Sequence, residues 1–169
     1  MPIPAESLAL LAANIRLVAI DVDGVLTDGR LYYSDEGEEL KVFHTHDGMG
    51  LKLLRKAGIE PAIISARNSP AVRRRMSELE INRVHLGCKD KGAMVDTLLQ
   101  ETGFSRDQLA AIGDDLVDLP MLQRAGLAVA VANAHPELKA AANWVTSKGG
   151  GHGAVRELCD QLLLAQKKK

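Results

Sequence analysis

An apolar run ends in two aspartates in the segment Leu17-Val18-Ala19-Ile20-Asp21-Val22-Asp23-Gly24. Residues i and i+2 of an extended chain lean to the same side, so Asp21 and Asp23 can face one crevice. Two like charges there repel, a cost that a bound cation offsets or that serves to separate two pKa values. Three further polar signals follow apolar runs: Ser65 after Ile63-Ile64, Lys91 beyond Val84 to Gly87, and Gly113-Asp114-Asp115-Leu116-Val117-Asp118 after Ala111-Ile112. Together they suit phosphoryl transfer. A hard cation such as Mg²⁺ takes oxygen ligands and keeps water and phosphate oxygens among them, and Asp21 and Asp114 can supply its charge partners. Lys91 and the Ser65 hydroxyl would meet the oxygens of the transferred group. One carboxylate can attack phosphorus, while a second protonates the leaving oxygen and later activates water.

The elements that must position these groups alternate. Ser7 to Asn14 reads as a short helix before the first strand. After Asp28-Gly29, two alternating runs, Arg30 to Ser34 and Glu39 to Phe43, joined by Asp35-Glu36-Gly37-Glu38, signal a hairpin. Helices are expected at Leu51 to Ala57, Pro70 to Leu79, Lys91 to Thr102 (with Asp90 as N-cap), Leu116 to Ala125 and His135 to Ala142. The intervening strands are Ile59 to Ile64, Val84 to Gly87, Leu109 to Ile112, Leu127 to Val131 and Trp144 to Thr146. Gly149-Gly150-Gly151 breaks regular structure before a last amphipathic helix, Ala154 to Gln166. Alternation of this kind predicts an α/β fold, a mainly parallel sheet with helices on both faces and its ligand beyond the strands' carboxyl ends.

The 169 residues are enough for a single domain, 1–169, with a hairpin insertion at 29–43 and a flexible glycine-rich stretch at 149–153. Acidic and basic residues nearly balance, 22 against 21, which argues against nucleic acid and anionic membrane as partners. Cys88 and Cys159 are too few for a disulfide framework or zinc site, and reduced thiols in the cytoplasm are the simpler reading. The start Met1-Pro2-Ile3-Pro4 has no signal-peptide character, and Lys167-Lys168-Lys169 reads as a solvated tail. His44 and His46 lack a third metal ligand at suitable spacing, and Arg73-Arg74-Arg75 reads first as the solvated face of a helix.

Asp21-Val22-Asp23-Gly24-Val25, Ser65, Lys91 and Gly113-Asp114-Asp115-x-x-Asp118 resemble, in order, the four motifs of the haloacid dehalogenase superfamily. The resemblance implies a Rossmann-like sheet, Asp21 as nucleophile and Asp23 as general acid/base. It further implies Mg²⁺ held by the Asp21 carboxylate, the Asp23 carbonyl and Asp114, with Asp115 and Asp118 ordering the loop. Dehalogenases lack the second acid and ion pumps carry Thr there, so Asp23 points to a phosphohydrolase. Members usually carry a lid domain. Here Asp28 to Asp47 leaves room only for the hairpin, and Ser65 to Lys91 for one helix and one strand. A macromolecular substrate or a neighbouring subunit must then cover the crevice, and the aromatic hairpin favours the subunit.

The finer resemblance is to the capless phosphatases of sugar acids, notably those for 3-deoxy-D-manno-octulosonate 8-phosphate. It rests on Asp21 to Gly29, the hairpin, His44 to Gly48, Ala66-Arg67-Asn68-Ser69 and Gly149 to Glu157. It implies Mg²⁺-dependent hydrolysis of that ester through an aspartyl-phosphate, in lipopolysaccharide synthesis, by a cytoplasmic homotetramer. Asp23, His44, Thr45, His46, Asp47, Gly48, Arg67, Arg75 and Lys91 would contact substrate, and His152 would reach a neighbour's crevice. Two residues depart from the family pattern: Ser65-Ala66 stands where Thr-Gly is common, and His46 where Arg is. Related enzymes for nine-carbon 2-keto-sugar acids tend to have Glu at the position of Arg67, whose fixed pair of donors suits a carboxylate. Those nine-carbon esters, a 3′-phosphorylated strand end, or a regulatory phospho-acceptor module are the alternative readings.

Overall fold

The structure, a computed structural model, describes residues 4–167, so the tail lysines 168 and 169 lie outside it, as do residues 1–3. The elements in chain order are α1 (Ala5–Asn14), β1 (Leu17–Ile20), β2 (Tyr32–Tyr33), β3 (Glu39–Leu40), α2 (Thr45–Lys56), β4 (Glu60–Ser65) and α3 (Pro70–Glu78). There follow β5 (Arg83–Leu86), α4 (Lys91–Thr102), β6 (Leu109–Gly113), α5 (Leu119–Leu122), β7 (Leu127–Ala130), α6 (Pro136–Ala141), β8 (Trp144–Val145) and α7 (Ala154–Gln166).

The six-stranded sheet runs β5-β4-β1-β6-β7-β8, and every neighbouring pair is parallel. Every residue of β1, β6 and β7 is buried, so both faces of the sheet are covered by helices, as continuous apolar strands require. Helices α1 and α2 each pack on α7, while α4 and α6 each pack on α5. From β1 the chain moves outward through β4 to β5, then returns to β1's other side with β6. That reversal opens a crevice beyond the carboxyl ends of β1 and β6, where ligands of such sheets bind.

Four local expectations change. The hairpin pairs only Tyr32–Tyr33 with Glu39–Leu40. Helix α2 starts at Thr45 rather than Leu51, because His44 caps it: its Nδ1 accepts the His46 N–H at 3.2 Å. Residues 116–125 are not one helix but a 3-10 turn, Leu116–Asp118, followed by the single turn of α5. There Asp118 points inward, and its carboxylate takes the N–H groups of Asp114 and Asp115 instead of facing solvent. The glycine stretch 149–153 is not a loose lead into the last helix but lies against the loop after β1. Gly151 N–H donates to Val25 O at 3.0 Å.

Candidate active site

The loop leaving β1 and the loop leaving β6 meet in the crevice. Asp21 N–H donates to Ile112 O at 3.2 Å, which carries the strand register one residue past β1. Gly24 then turns with φ +96°, and a Cβ there would stand 2.0 Å from Asp114 Oδ2. Only glycine permits both that backbone angle and that approach. Thr27 Oγ1 accepts the N–H groups of Gly24 and Gly29, each at 3.3 Å, and closes the loop.

Lys91 enters from the first residue of α4, whose cap Asp90 accepts the Ala93 N–H at 2.9 Å. Its Nζ lies 2.5 Å from both Asp21 Oδ1 and Asp118 Oδ1, with the lysine side chain only 3% exposed. Burial alone would lower the Lys91 pKa, but the two carboxylates raise it above the ordinary lysine value, so the ammonium is kept. Asp118 Oδ2 accepts from Asp114 N at 3.0 Å and Asp115 N at 3.3 Å. Both of its oxygens are therefore engaged, and Gly113 makes room for it: a Cβ there would fall 2.5 Å from Asp118 Cβ. Asp115 is exposed and accepts the Leu116 N–H at 2.7 Å, closing a reciprocal cap with Asp118. Ser65 is buried at the end of β4, and its Oγ accepts the Arg67 N–H at 3.2 Å.

Carboxylate oxygens of Asp21, Asp114 and Asp118 lie within 4.8 Å of one another. Three acids against one ammonium leave an excess of negative charge, and every donor is oxygen. This donor set fits a hard divalent cation, with Asp21 and Asp114 as its ligands, since Asp118 is already engaged. Burial and mutual repulsion raise the pKa values of these carboxylates. Burial first, then Asp118, pushes Asp21 up to about 8. Burial, then Asp118 and Asp115, pushes Asp114 up to about 7. Both values exceed the 3.8 of a free aspartate, so without metal the folded chain holds these protons more tightly than the unfolded one. Their contribution to stability is complete below about pH 4 and is lost as pH rises through about 7 and 8. The metal-free Tm is accordingly expected to fall across that window. Mg²⁺ in place of the protons should restore it, by about 2.7 kcal/mol at 100 times Kd. Melting curves from pH 5 to about 8.5 with and without Mg²⁺ check this; a metal-free Tm flat with pH would contradict it.

A second cluster forms at the mouth of the crevice. Lys41, from the end of the hairpin, pairs with Asp23, and its Nζ also stands 3.2 Å from Glu39 Oε1. Arg67 Nη2 donates to Glu39 Oε1 at 2.8 Å and to Tyr33 Oη at 3.0 Å, and its Nε lies 3.9 Å from Asp23 Oδ2. Lys41 escaped the sequence reading, although its side chain is only 2% exposed. The alternation Glu39-Leu40-Lys41 held the signal: residues two apart on a strand share a face, here the inward one.

The other proposed substrate contacts lie elsewhere in the chain. Thr45 and His46 are exposed at the start of α2, with the His44 and His46 rings edge to face at 5.0 Å. Arg75 pairs with Glu78, and its guanidinium lies over Gly48, where a Cβ would be 2.3 Å from Nη2. Asp47 is 1% exposed, and its Oδ1 accepts the Arg156 N–H at 2.7 Å, at the start of α7. A cavity of about 690 Å³ lies at the opposite end of the sheet, lined among others by Arg55, Glu60, Glu80 and Arg83. Its arginines are already paired, Arg55 with Glu80 and Arg83 with Glu60 and Glu101.

Comparison with known proteins shows the family. The family profile of haloacid dehalogenase-like hydrolases matches residues 84–158. The 3-deoxy-D-manno-octulosonate 8-phosphate phosphatase KdsC of Escherichia coli is 45% identical over 167 residues, 99% of this chain and 88% of that protein. A crystal structure of the phosphatase of the same name from Yersinia pestis superposes with TM-score 0.95 at 45% identity, covering 98% of this chain and 89% of that one. The Moraxella catarrhalis enzyme, solved with a magnesium ion, a phosphate ion and a KDO molecule, matches with TM-score 0.95 at 40% identity, over 98% and 95% of the two chains. With the four motifs gathered at one strand edge and relatives this similar along nearly their whole length, the chain belongs to the haloacid dehalogenase-like hydrolases and, among them, to the 3-deoxy-D-manno-octulosonate 8-phosphate phosphatase family.

Proposed function

We propose that this chain hydrolyses 3-deoxy-D-manno-octulosonate 8-phosphate to the free sugar acid and phosphate, with Mg²⁺ as cofactor. The observation that carries the reading is the placement of Asp21 2.5 Å from Lys91, at the strand edge that also bears Asp114. The Asp21 and Asp114 carboxylates, with the Asp23 carbonyl, would hold the cation, which when bound supplies positive charge to the phosphate oxygens. Lys91 and the Ser65 hydroxyl bind further phosphate oxygens, and Lys91 together with the bound cation would favour Asp21 as the carboxylate that attacks. A bond forms from Asp21 to phosphorus as the bond from phosphorus to the sugar oxygen breaks, and Asp23 gives that oxygen a proton. Asp23 then takes a proton from water, whose oxygen attacks phosphorus and releases Asp21 and phosphate.

Arg67, at the mouth of the crevice, is suited to the substrate carboxylate or a polar sugar edge. Leu31, Tyr32, Tyr33, Leu40 and Val42 of the hairpin region are exposed, which supports association of hairpins in a homotetramer that closes each crevice. His44, Thr45, His46, Gly48 and Arg75 would then serve a neighbour's site. No helix among the described residues is long and apolar enough to cross a membrane. A cytoplasmic, single-domain enzyme of lipopolysaccharide synthesis is consistent with these features.

A phosphate-release assay over a panel of esters tests the reading. The octulosonate 8-phosphate is expected to give the highest kcat/KM, with activity lost on chelation and restored by Mg²⁺. A higher value for a nine-carbon 2-keto-sugar acid phosphate, or for a 3′-phosphorylated strand end, would reassign the substrate. Lys41→Met is expected to lower kcat on the sugar ester by about 10-fold or more, because Asp23 loses the cation that holds it over the leaving oxygen. An aryl phosphate such as p-nitrophenyl phosphate, whose leaving group needs no proton, should lose much less. Equal losses on both esters would dismiss that role for Lys41.

A further inference from the structure

The last helix begins without a cap of its own. Its N-cap is Gly153, which has no side chain and sits at φ +98°. The missing acceptor comes from the far side of the sequence: Asp47, in the first turn of α2, takes the Arg156 N–H, the third of α7, at 2.7 Å. An acceptor on that N–H is what a capping side chain normally supplies. The two helices are close enough for this because of Gly50, where a Cβ would come within 3.0 Å of Cys159 Sγ and Arg156 Cδ.

The segment that α7 anchors lies directly on the catalytic loop. A Cβ on Gly150 would stand 1.7 Å from Gly24 O, and one on Gly151 2.4 Å from Asp28 N. Gly151 N–H donates to Val25 O at 3.0 Å, and Gly150 N–H to Asn133 Oδ1 at 2.9 Å. Backbone therefore rests on backbone with no side chain between them. The loop so held runs from Asp23 through Gly24, the residue packed beneath Asp114.

We infer that Asp47 is a positioning residue: by capping α7 it fixes the Gly149–Gly153 segment as a backbone brace against the loop that carries Asp23 and borders Asp114. Its carboxylate acts through α7 and does not touch substrate. Displacements of an ångström at reacting groups cost on the order of 100-fold in rate, so a slackened brace registers in turnover rather than in binding.

The test compares Asp47→Ala, Asp47→Asn and Gly150→Ala in the full chain with Mg²⁺. Hydrogen–deuterium exchange is followed in the peptides covering 22–28 and 149–156, and kcat and KM are measured on the octulosonate ester. Asp47→Ala should speed exchange in both peptides and lower kcat by about 10- to 100-fold with KM within about 3-fold. Asp47→Asn, which keeps an oxygen for the Arg156 N–H, should restore slow exchange and most of kcat. Gly150→Ala should reproduce the Asp47→Ala pattern without touching Asp47. If Asp47→Ala does not fold, the asparagine and Gly150 variants decide the matter on the same two readouts. A rise in KM with unchanged exchange in both Asp47 variants would make Asp47 a substrate contact and overturn the inference; so would unchanged exchange and kcat in Gly150→Ala. The kinetic arm rests on the phosphatase reading, whereas the exchange arm does not. Failure of that reading would show as an inactive parent protein with the exchange pattern intact.

Discussion

Asp21→Asn is expected to abolish phosphate release, lowering kcat by about 10⁴-fold or more, since loss of a nucleophile removes the covalent route altogether. The amide nitrogen cannot take the phosphoryl group, and the proposed cation site loses one of its two side-chain carboxylates. The same substitution removes one of the crowded buried acids from the metal-free site. Burial and Asp118 push Asp21 up to about 8, so its charge is a growing burden on the folded state as pH climbs towards that value. Asp21→Asn should therefore melt higher than the parent at about pH 8 without Mg²⁺, and lose most of the parent's stabilisation by Mg²⁺. Stopped or single-turnover phosphate release, with melting curves alongside, separates the two effects. Retention of more than about a tenth of parental kcat would end the nucleophile assignment.

Lys91→Met is expected to produce the largest loss of stability among single changes at the site. Methionine keeps much of the side chain's length, but Asp21 and Asp118 would face each other across the gap with no cation between them. Removing one partner of a buried ion pair costs about 3–5 kcal/mol, a large share of the 5–15 kcal/mol typical of a domain. Asp118 is fully buried and holds the N–H groups of Asp114 and Asp115, so the metal loop would loosen with it. Urea unfolding should show a lower midpoint with the same slope, and Mg²⁺ should recover part of the loss. A midpoint shift worth less than about 1 kcal/mol would mean that the two carboxylates are relieved by protonation alone.

The strand edge was legible because its chemistry sits at period breaks. Asp21, Ser65, Lys91 and Asp114 each follow an apolar run, and parallel alternation sends every such exit to one side. The start of α2 was not legible, since Thr45, His46, Gly48 and Gly50 are weak helix formers. The two glycines make sense only against their neighbours, Arg75 for Gly48 and α7 for Gly50, which no local pattern announces. The stretch from Leu116 to Ala125 looked helical by its apolar residues, but the Asp118 side chain competes for backbone N–H groups and stops the turn short. Lys41 was passed over because its partner Asp23 is 18 residues away. The glycines at 149–151 read as looseness, and only their neighbours, Asn133 and the backbone from Gly24 to Asp28, show that they are small because they are crowded.

The hairpin has two working sides on very little chain. Leu40 and Val42 point outward, while Glu39 and Lys41, alternating with them, reach inward to Arg67 and Asp23. A ribbon with only two paired residues per strand has little rigidity of its own, so whatever grips its outer side sets where the inner side rests. In the proposed assembly, self-association and turnover would thus be written in interleaved letters, so that a substitution on the outer side of the ribbon would be read out at Asp23 and Arg67.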